Sequence, residues 1–133
     1  MSLLATLTVI ASLQANPSAA DILQGLDMTS FRNSTGPLRV EGWRRPADWS
    51  FSALTVSEET AYLERPGDWK IGLKILRTTK DGVIACFYDR AQNGGRYAAQ
   101  QALRIVRDDF GGYRVLDQNV VDPTCSPLVG QGR

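Results

Sequence analysis

A chain of 133 residues, 43% of them hydrophobic, has the size and composition of one folded domain. Its 15 basic and 14 acidic residues give a net charge of +1, so we expect no general attraction to nucleic acid or to anionic membranes. The sequence contains no histidine, which excludes Ser-His-Asp and Cys-His catalysis and nearly all zinc-enzyme sites. Glycine-rich phosphate-binding motifs are also missing, and we predict no catalytic residue, no metal site and no cofactor.

Residues 1–20 have the pattern of a secretory signal peptide. An apolar run over residues 3–13 is followed by Pro17, and Ser18-Ala19-Ala20 fits the small-residue cleavage pattern. We therefore predict cleavage after Ala20 and a single β-rich domain over residues 21–133. Because the apolar run is too short to span a bilayer as a helix, we expect no stable membrane insertion after the signal is removed.

Two other interpretations of this segment stay open. No Lys or Arg precedes Leu3, although a signal peptide normally begins with a basic region. Apolar residues from Leu3 to Leu13 alternate with Thr, Ser and Gln, which is typical of an additional strand. Asn16-Pro17 would also suit the start of a helix running to about Gln24, with Pro17 at its first position.

The two cysteines, Cys86 and Cys125, are too far apart in the chain for a redox CxxC motif. An even number of cysteines in a small exported protein predicts a disulfide, and the alternative is two buried free thiols. A disulfide between them would hold the irregular tail after Pro123 against the sheet. Together with the signal peptide, it predicts a periplasmic or secreted protein.

Residues 21–67 are predicted to form one short helix and three strands. Ile22, Leu23, Leu26 and Phe31 have helical spacing, interrupted by a glycine, and would pack an amphipathic helix on the sheet. The predicted strands cover residues 38–43, 51–56 and 60–65. Pro66-Gly67 then marks a turn.

Residues 68–122 predict an antiparallel β-meander. Four runs rich in β-branched and aromatic residues are separated by three turns that contain glycine, which supplies the positive φ of tight hairpin turns. The runs cover residues 69–76, 83–89, 96–106 and 113–121. With the preceding strands, this is a mainly β fold of six or seven strands curled into a barrel or half-barrel, which also removes exposed strand edges.

Alternation of side chains assigns the residues of each run to two faces of the sheet. Trp69, Ile71, Leu73 and Ile75 share one face of the first run. The second run is apolar on both faces, which predicts a central strand covered on both sides, by a helix or by the curl of the sheet.

The register of the first hairpin has two candidates. A three-residue loop over residues 80–82 sets Ile75 opposite Phe87 and is favoured, since this is a sensible core pair. A two-residue loop sets Lys74 opposite Asp89 instead.

The candidate binding loop is Trp43-Arg44-Arg45-Pro46-Ala47-Asp48-Trp49. Its two tryptophans would stack on a sugar or an aromatic ligand while an arginine holds an anion, or the same residues would anchor a protein partner. Asp89 and Arg90, at a strand end, are the other candidates. Alternatively, both indoles pack under the loop to close the barrel and the arginines lie in solvent.

Three classes of function follow from these residues. The first is a non-enzymatic binding or inhibitor-like module for a protein, a small molecule or a glycan, with no nucleic-acid partner. A wide apolar cavity would indicate a small apolar ligand, whereas an exposed Trp and Arg patch would indicate a protein or glycan. The second class is a carboxylate-dependent hydrolase using Asp89 or Glu64, and the third is a structural envelope component.

Overall fold

The computed structural model describes residues 16–32 and 37–127. Most of the predicted signal peptide, and all of the alternative strand up to Leu13, lie outside the described residues. The described ranges contain one α-helix, two short 3-10 helices (Met28–Ser30 and Pro46–Trp49) and seven strands. In chain order they are α1 (Ala19–Gln24), β1 (Leu26–Asp27), β2 (Ala53–Ser57), β3 (Thr60–Arg65), β4 (Trp69–Thr78), β5 (Gly82–Ala91), β6 (Ala98–Arg107) and β7 (Tyr113–Val120).

The strands form a single sheet in the order β1-β7-β6-β5-β4-β3-β2, curled into a half-barrel. Every pair from β2 to β7 is antiparallel, so the predicted meander, the mainly β class and the single short helix are confirmed. The sheet is mixed because β1 pairs with β7 in parallel. This pairing continues a backbone contact in which Tyr113 N donates to Gly25 O at 2.8 Å, where the chain leaves α1.

The helix is shorter than the apolar spacing predicted. Ser18 caps α1 in a capping box with Asp21, and Gly25 ends it. Ile22 and Leu23 lie on the helix, whereas Leu26 lies in β1 and Phe31 follows the first 3-10 helix, yet all four are buried. The alternative helix to about Gln24 ends where expected but starts after Ser18. The predicted cleavage site after Ala20 falls in the first turn of this helix.

The predicted strand over residues 38–43 is wrong. Residues 37–40 have no regular structure, and a turn follows at Gly42, whose φ of 85° is incompatible with an extended strand. The next strand begins at Ala53, two residues later than predicted, because Ser50 has a φ of 69° and Phe51 N still bonds back to Pro46 O. The strand over residues 60–65 is confirmed as β3.

Neither candidate register of the β4–β5 hairpin is correct. Leu73 lies opposite Phe87 and Ile75 opposite Ala85, with a bulge between Ile75 and Arg77. The favoured register is therefore in error by two residues. An even shift keeps every side chain on its face, so the predicted sharing of one face by Ile71 and Leu73 in the core survives.

β5 lies at the centre of the sheet and is covered on both faces. Its inner face, with Val83, Ala85 and Phe87, packs in the main core against residues from the 22–31 segment. On its outer face Cys86 forms a disulfide with Cys125, and both side chains are fully buried. The disulfide is confirmed, but the cover on this face is the C-terminal tail rather than a helix or the curl of the sheet.

Candidate ligand cavity

The inner face of the half-barrel and the 37–51 segment enclose a cavity of about 460 Å³. This volume is within the range of small-molecule sites. Its walls are predominantly aromatic and aliphatic, and among the described lining residues only two side chains are charged. The lining residues are Met28, Pro37, Leu38, Val40, Trp43, Trp49, Phe51, Arg65, Trp69, Ile71, Phe87 and Asp89.

The two tryptophans of the predicted loop line this cavity at different depths. Trp49 is buried, and its Nε1 donates to Leu38 O at 2.8 Å. Trp43 is 40% exposed and stands edge-to-face against Trp49, with ring centroids 5.5 Å apart. The alternative in which both indoles close the barrel therefore describes Trp49, whereas Trp43 stays open to solvent at the cavity.

The 3-10 helix Pro46–Trp49 positions this pair. Pro46 favours the first turn, and the Asp48 carboxylate accepts the backbone N–H groups of Arg44 at 2.8 Å and Arg45 at 3.0 Å. These two hydrogen bonds, that from Arg44 first, lower the pKa of Asp48 below its ordinary value. The turn thus holds Trp43 and Trp49 on the same side.

The two arginines of the loop do not line the cavity. Arg45 donates to Gly25 O and to the Asp108 carboxylate at 2.9 Å. Arg44 lies 3.6 Å from an Asp27 carboxylate oxygen and places its guanidinium 3.8 Å from the centre of the Phe110 ring. Both side chains fasten the loop to the sheet, and neither is directed to a ligand in the cavity.

Asp108 is the hydrogen-bond acceptor through which Arg45 attaches the loop to the rest of the protein. Its side chain is only 3% exposed and receives Arg45 together with the N–H groups of Phe110 and Gly112, both at 2.8 Å. Burial acts to raise the pKa of Asp108, but the hydrogen bond from Arg45 and the backbone hydrogen bonds outweigh it, so the pKa is lowered. The carboxylate is therefore a structural anion.

Asp89 is in the opposite situation. It follows Phe87 on the inner face of β5, and its carboxylate accepts a hydrogen bond from Trp69 Nε1. No basic side chain in residues 16–32 and 37–127 forms an ion pair with it. Burial raises the pKa of Asp89, and the hydrogen bond from Trp69 only partly offsets this. The cavity wall therefore carries a carboxylate without a counter-ion.

Tyr97 completes the surroundings of this carboxylate. Its ring lies against Trp69, with centroids 5.6 Å apart. Burial, and then the charge of Asp89, raise the pKa of Tyr97, so the phenol stays protonated at neutral pH. Arg90, the neighbouring candidate, is exposed and pairs across the sheet with Lys70, outside the cavity lining.

Arg65 is the only basic residue among the described lining residues. Its Nε lies 2.5 Å from an Asp68 carboxylate oxygen, and its Nη1 donates to Trp49 O at 3.1 Å. The guanidinium also lies 4.9 Å from the centre of the Phe51 ring. Since Asp68 balances the charge of Arg65, the uncompensated charge of the cavity is that of Asp89.

The second carboxylate of the hydrolase hypothesis is not near Asp89. Leu63 pairs with Ile71 in the core, so the next residue, Glu64, points to the outer face of β3, whereas Asp89 is on the inner face. Among the described lining residues Asp89 is the only acidic one. The hydrolase hypothesis therefore finds no second carboxyl group in this cavity.

Sequence reasoning named Trp43, Trp49 and Asp89, which the fold brings to one cavity. It missed Trp69 and Phe87 as lining residues, along with Met28, Phe51 and Arg65. The alternation of side chains along the strand was a partial signal for Phe87 as a lining residue, because Asp89 lies on the same face as Phe87. How closely Asp89 and Phe87 approach the 37–51 segment depends on how far the sheet curls, and no local sequence pattern indicates this.

No family of known proteins matches this sequence, and neither a curated protein nor a solved structure is significantly similar to it. Across residues 16–32 and 37–127, no helix has the length and apolar character needed to cross a bilayer. In the same residues, no three Cys, Asp or Glu side chains group in a way that would hold a metal ion.

Proposed function

We propose that this protein is a small exported binding module that takes a small, mainly apolar ligand into the cavity beneath the 37–51 segment. The observation that carries the proposal is the cavity of about 460 Å³, lined by five aromatic side chains and open at Trp43. Pockets of this size, apolar with a few placed polar groups, are typical of small-molecule sites.

Exposure at the cavity mouth supports the same conclusion. Trp43 is 40% exposed, Val40 36% and Leu38 84%, and all three line one cavity. Large apolar side chains exposed together on one segment indicate a surface that gains free energy when it is covered. A ligand in the cavity would remove part of this apolar area from water.

The disulfide supports export. A Cys86–Cys125 crosslink persists in an oxidising compartment and is rare in the reducing cytosol. Cleavage after Ala20 would remove the cap and the first two residues of α1, but no strand residue and no cavity-lining residue, since these begin at Leu26 and Met28. Intact mass of the protein recovered from the medium or periplasm tests this: a chain that retains residues 1–20 and two free thiols contradicts export.

Ligand binding is tested with N-phenyl-1-naphthylamine, a neutral apolar dye whose fluorescence rises in an apolar site. We expect saturable binding to the wild-type protein, weakened about two- to tenfold by Trp43→Ala, since an aromatic contact is worth about 0.5–1.5 kcal/mol. Leu54→Ala is the matched control, because Leu54 is also 40% exposed but does not line the cavity. Absence of saturable binding, or equal effects of the two substitutions, would refute the proposal.

A further inference from the structure

We infer that the cavity is selective for organic cations, in which an aromatic or aliphatic body carries an ammonium group that pairs with Asp89. This inference rests on the proposed binding function and narrows it to one chemical class. It depends on three features of the cavity: an uncompensated carboxylate, an aromatic surround, and an arginine that is already engaged.

The first feature is the charge of Asp89. A carboxylate in an apolar wall is unfavourable unless a cation or several donors compensate it, and Asp89 receives one hydrogen bond, from Trp69. No ion-pair partner exists for it within the described part of the chain. A ligand ammonium group would supply both the missing charge and additional N–H donors.

The second feature is the aromatic surround of the carboxylate. Trp69 donates to Asp89 directly, and Phe87 precedes it by two residues on the same face. Trp43 lines the same cavity and is partly exposed to solvent. The negative faces of aromatic rings attract cations and do so most strongly away from water. Such rings stabilise an ammonium ion on the sides that the carboxylate does not reach.

The third feature is the state of Arg65, which would otherwise favour an anion. Its guanidinium is held by Asp68 at 2.5 Å and by Trp49 O at 3.1 Å. An anionic ligand would therefore meet a guanidinium whose charge Asp68 already balances, and it would lie in the same cavity as Asp89. We expect the order of affinity to be cation, then neutral compound, then anion.

The test uses three probes that share a naphthalene ring and differ in one group: 1-naphthylmethylammonium, 1-naphthalenemethanol and 1-naphthoate. Isothermal titration calorimetry at pH 7 should show the ammonium compound binding at least about tenfold more tightly than the alcohol, as a hydrogen bond to a charged group implies. The carboxylate compound should bind most weakly.

The Asp89→Asn variant keeps the shape of the side chain and removes its charge. It should bind the ammonium compound and the alcohol with similar Kd values, because the charge that favours the ammonium group is gone. Asp109→Asn is the control, since Asp109 is an exposed carboxylate outside the cavity lining and should preserve the cation preference.

The outcomes separate the two proposals. If the alcohol binds the wild-type protein as tightly as the ammonium compound, or if Asp89→Asn retains the preference, cation selectivity is refuted while the binding function stands. If neither these probes nor N-phenyl-1-naphthylamine binds, the proposed function itself fails. The comparison of probes on the wild-type protein decides the question even if the variant does not fold.

Discussion

Removing the Cys86–Cys125 crosslink should cost a large part of the stability of this protein. The two residues are separated by 39 positions, and the chain-entropy model for a loop of this length gives a stabilisation of about 4 kcal/mol. Small domains have total unfolding free energies of about 5–15 kcal/mol, so the loss would be at least a quarter of the total. The reason is that the crosslink restricts the unfolded chain, while the folded contacts of the tail stay available.

The tail also makes contacts that do not involve the disulfide, and these remain when the disulfide is reduced. Arg77 pairs with Asp122 at 2.7 Å and Gln100 donates to Ser126 O at 2.9 Å, and neither depends on sulfur. The reduced wild-type protein keeps all buried atoms of Cys86 and Cys125, whereas the double variant Cys86→Ala, Cys125→Ala also removes the sulfur atoms. The difference between oxidised and reduced wild type therefore isolates the crosslink, and the double variant adds the packing loss.

The assay is urea unfolding at pH 7, followed by tryptophan fluorescence. With a denaturant slope of about 1–2 kcal/mol per molar, a loss of about 4 kcal/mol lowers the midpoint by roughly 2–4 M. A change below about 1 kcal/mol on reduction would refute the reasoning, because it would mean that the crosslink restricts the unfolded chain very little or that it strains the folded protein.

Three further predictions concern single residues. Gly82→Ala should lower the free energy of unfolding by about 2 kcal/mol or more in urea titrations, because the new Cβ would lie 1.9 Å from Ile105 O. Asp108→Asn should lower stability by about 2 kcal/mol at pH 7 and less in acid. The reason is that the pKa of Asp108 is lower in the folded protein than in the unfolded chain. The carboxylate therefore contributes its full stabilisation above the unfolded-state pKa, and this stabilisation is lost as the pH falls through the folded-state pKa. Asp89→Asn should show the opposite trend in the same unfolding titrations. Because the pKa of Asp89 is raised in the folded protein, the stability of the wild type falls as the pH rises from the unfolded-state pKa to above the folded-state pKa. Over that pH interval the stability of the variant should increase relative to that of the wild type.

A stability gain in Asp89→Asn would bear on function as well. A carboxylate that destabilises the free protein, yet is required for cation binding, is typical of a residue kept for its ligand. If Asp89→Asn instead loses stability as pH rises, relative to wild type, the carboxylate is compensated inside the protein and the cation site loses its electrostatic basis.

Local signals were sufficient for most of the sheet. The glycine turns at residues 80–82, 92–95 and 108–112 separate the four long strands, and each hairpin joins neighbours in sequence. Alternation then assigned the inner face correctly, even though the first hairpin was misregistered by two residues. The bulge after Ile75 was not predictable, because it depends on how β4 bends across the curled sheet.

The candidate site was predictable only in part. Trp43, Trp49 and Asp89 stand out as residue types, but the ligand-binding role predicted for Arg44 and Arg45 requires guanidinium groups that can reach a ligand. In the structure, the two arginines face the sheet instead. Their partners, Asp108 and Asp27, are distant in sequence, so no local pattern links them.

The amino-acid sequence by itself determined the succession of strands from β2 to β7, the inward and outward faces and the pair of cysteines, because turn propensity and alternation act between residues close in the chain. Only the tertiary structure decided that Asp89 would meet aromatic side chains without a counter-ion, and that the two loop arginines would be used to anchor the loop. Both depend on contacts between residues tens of positions apart, which form only when the sheet curls and the 37–51 segment packs across it.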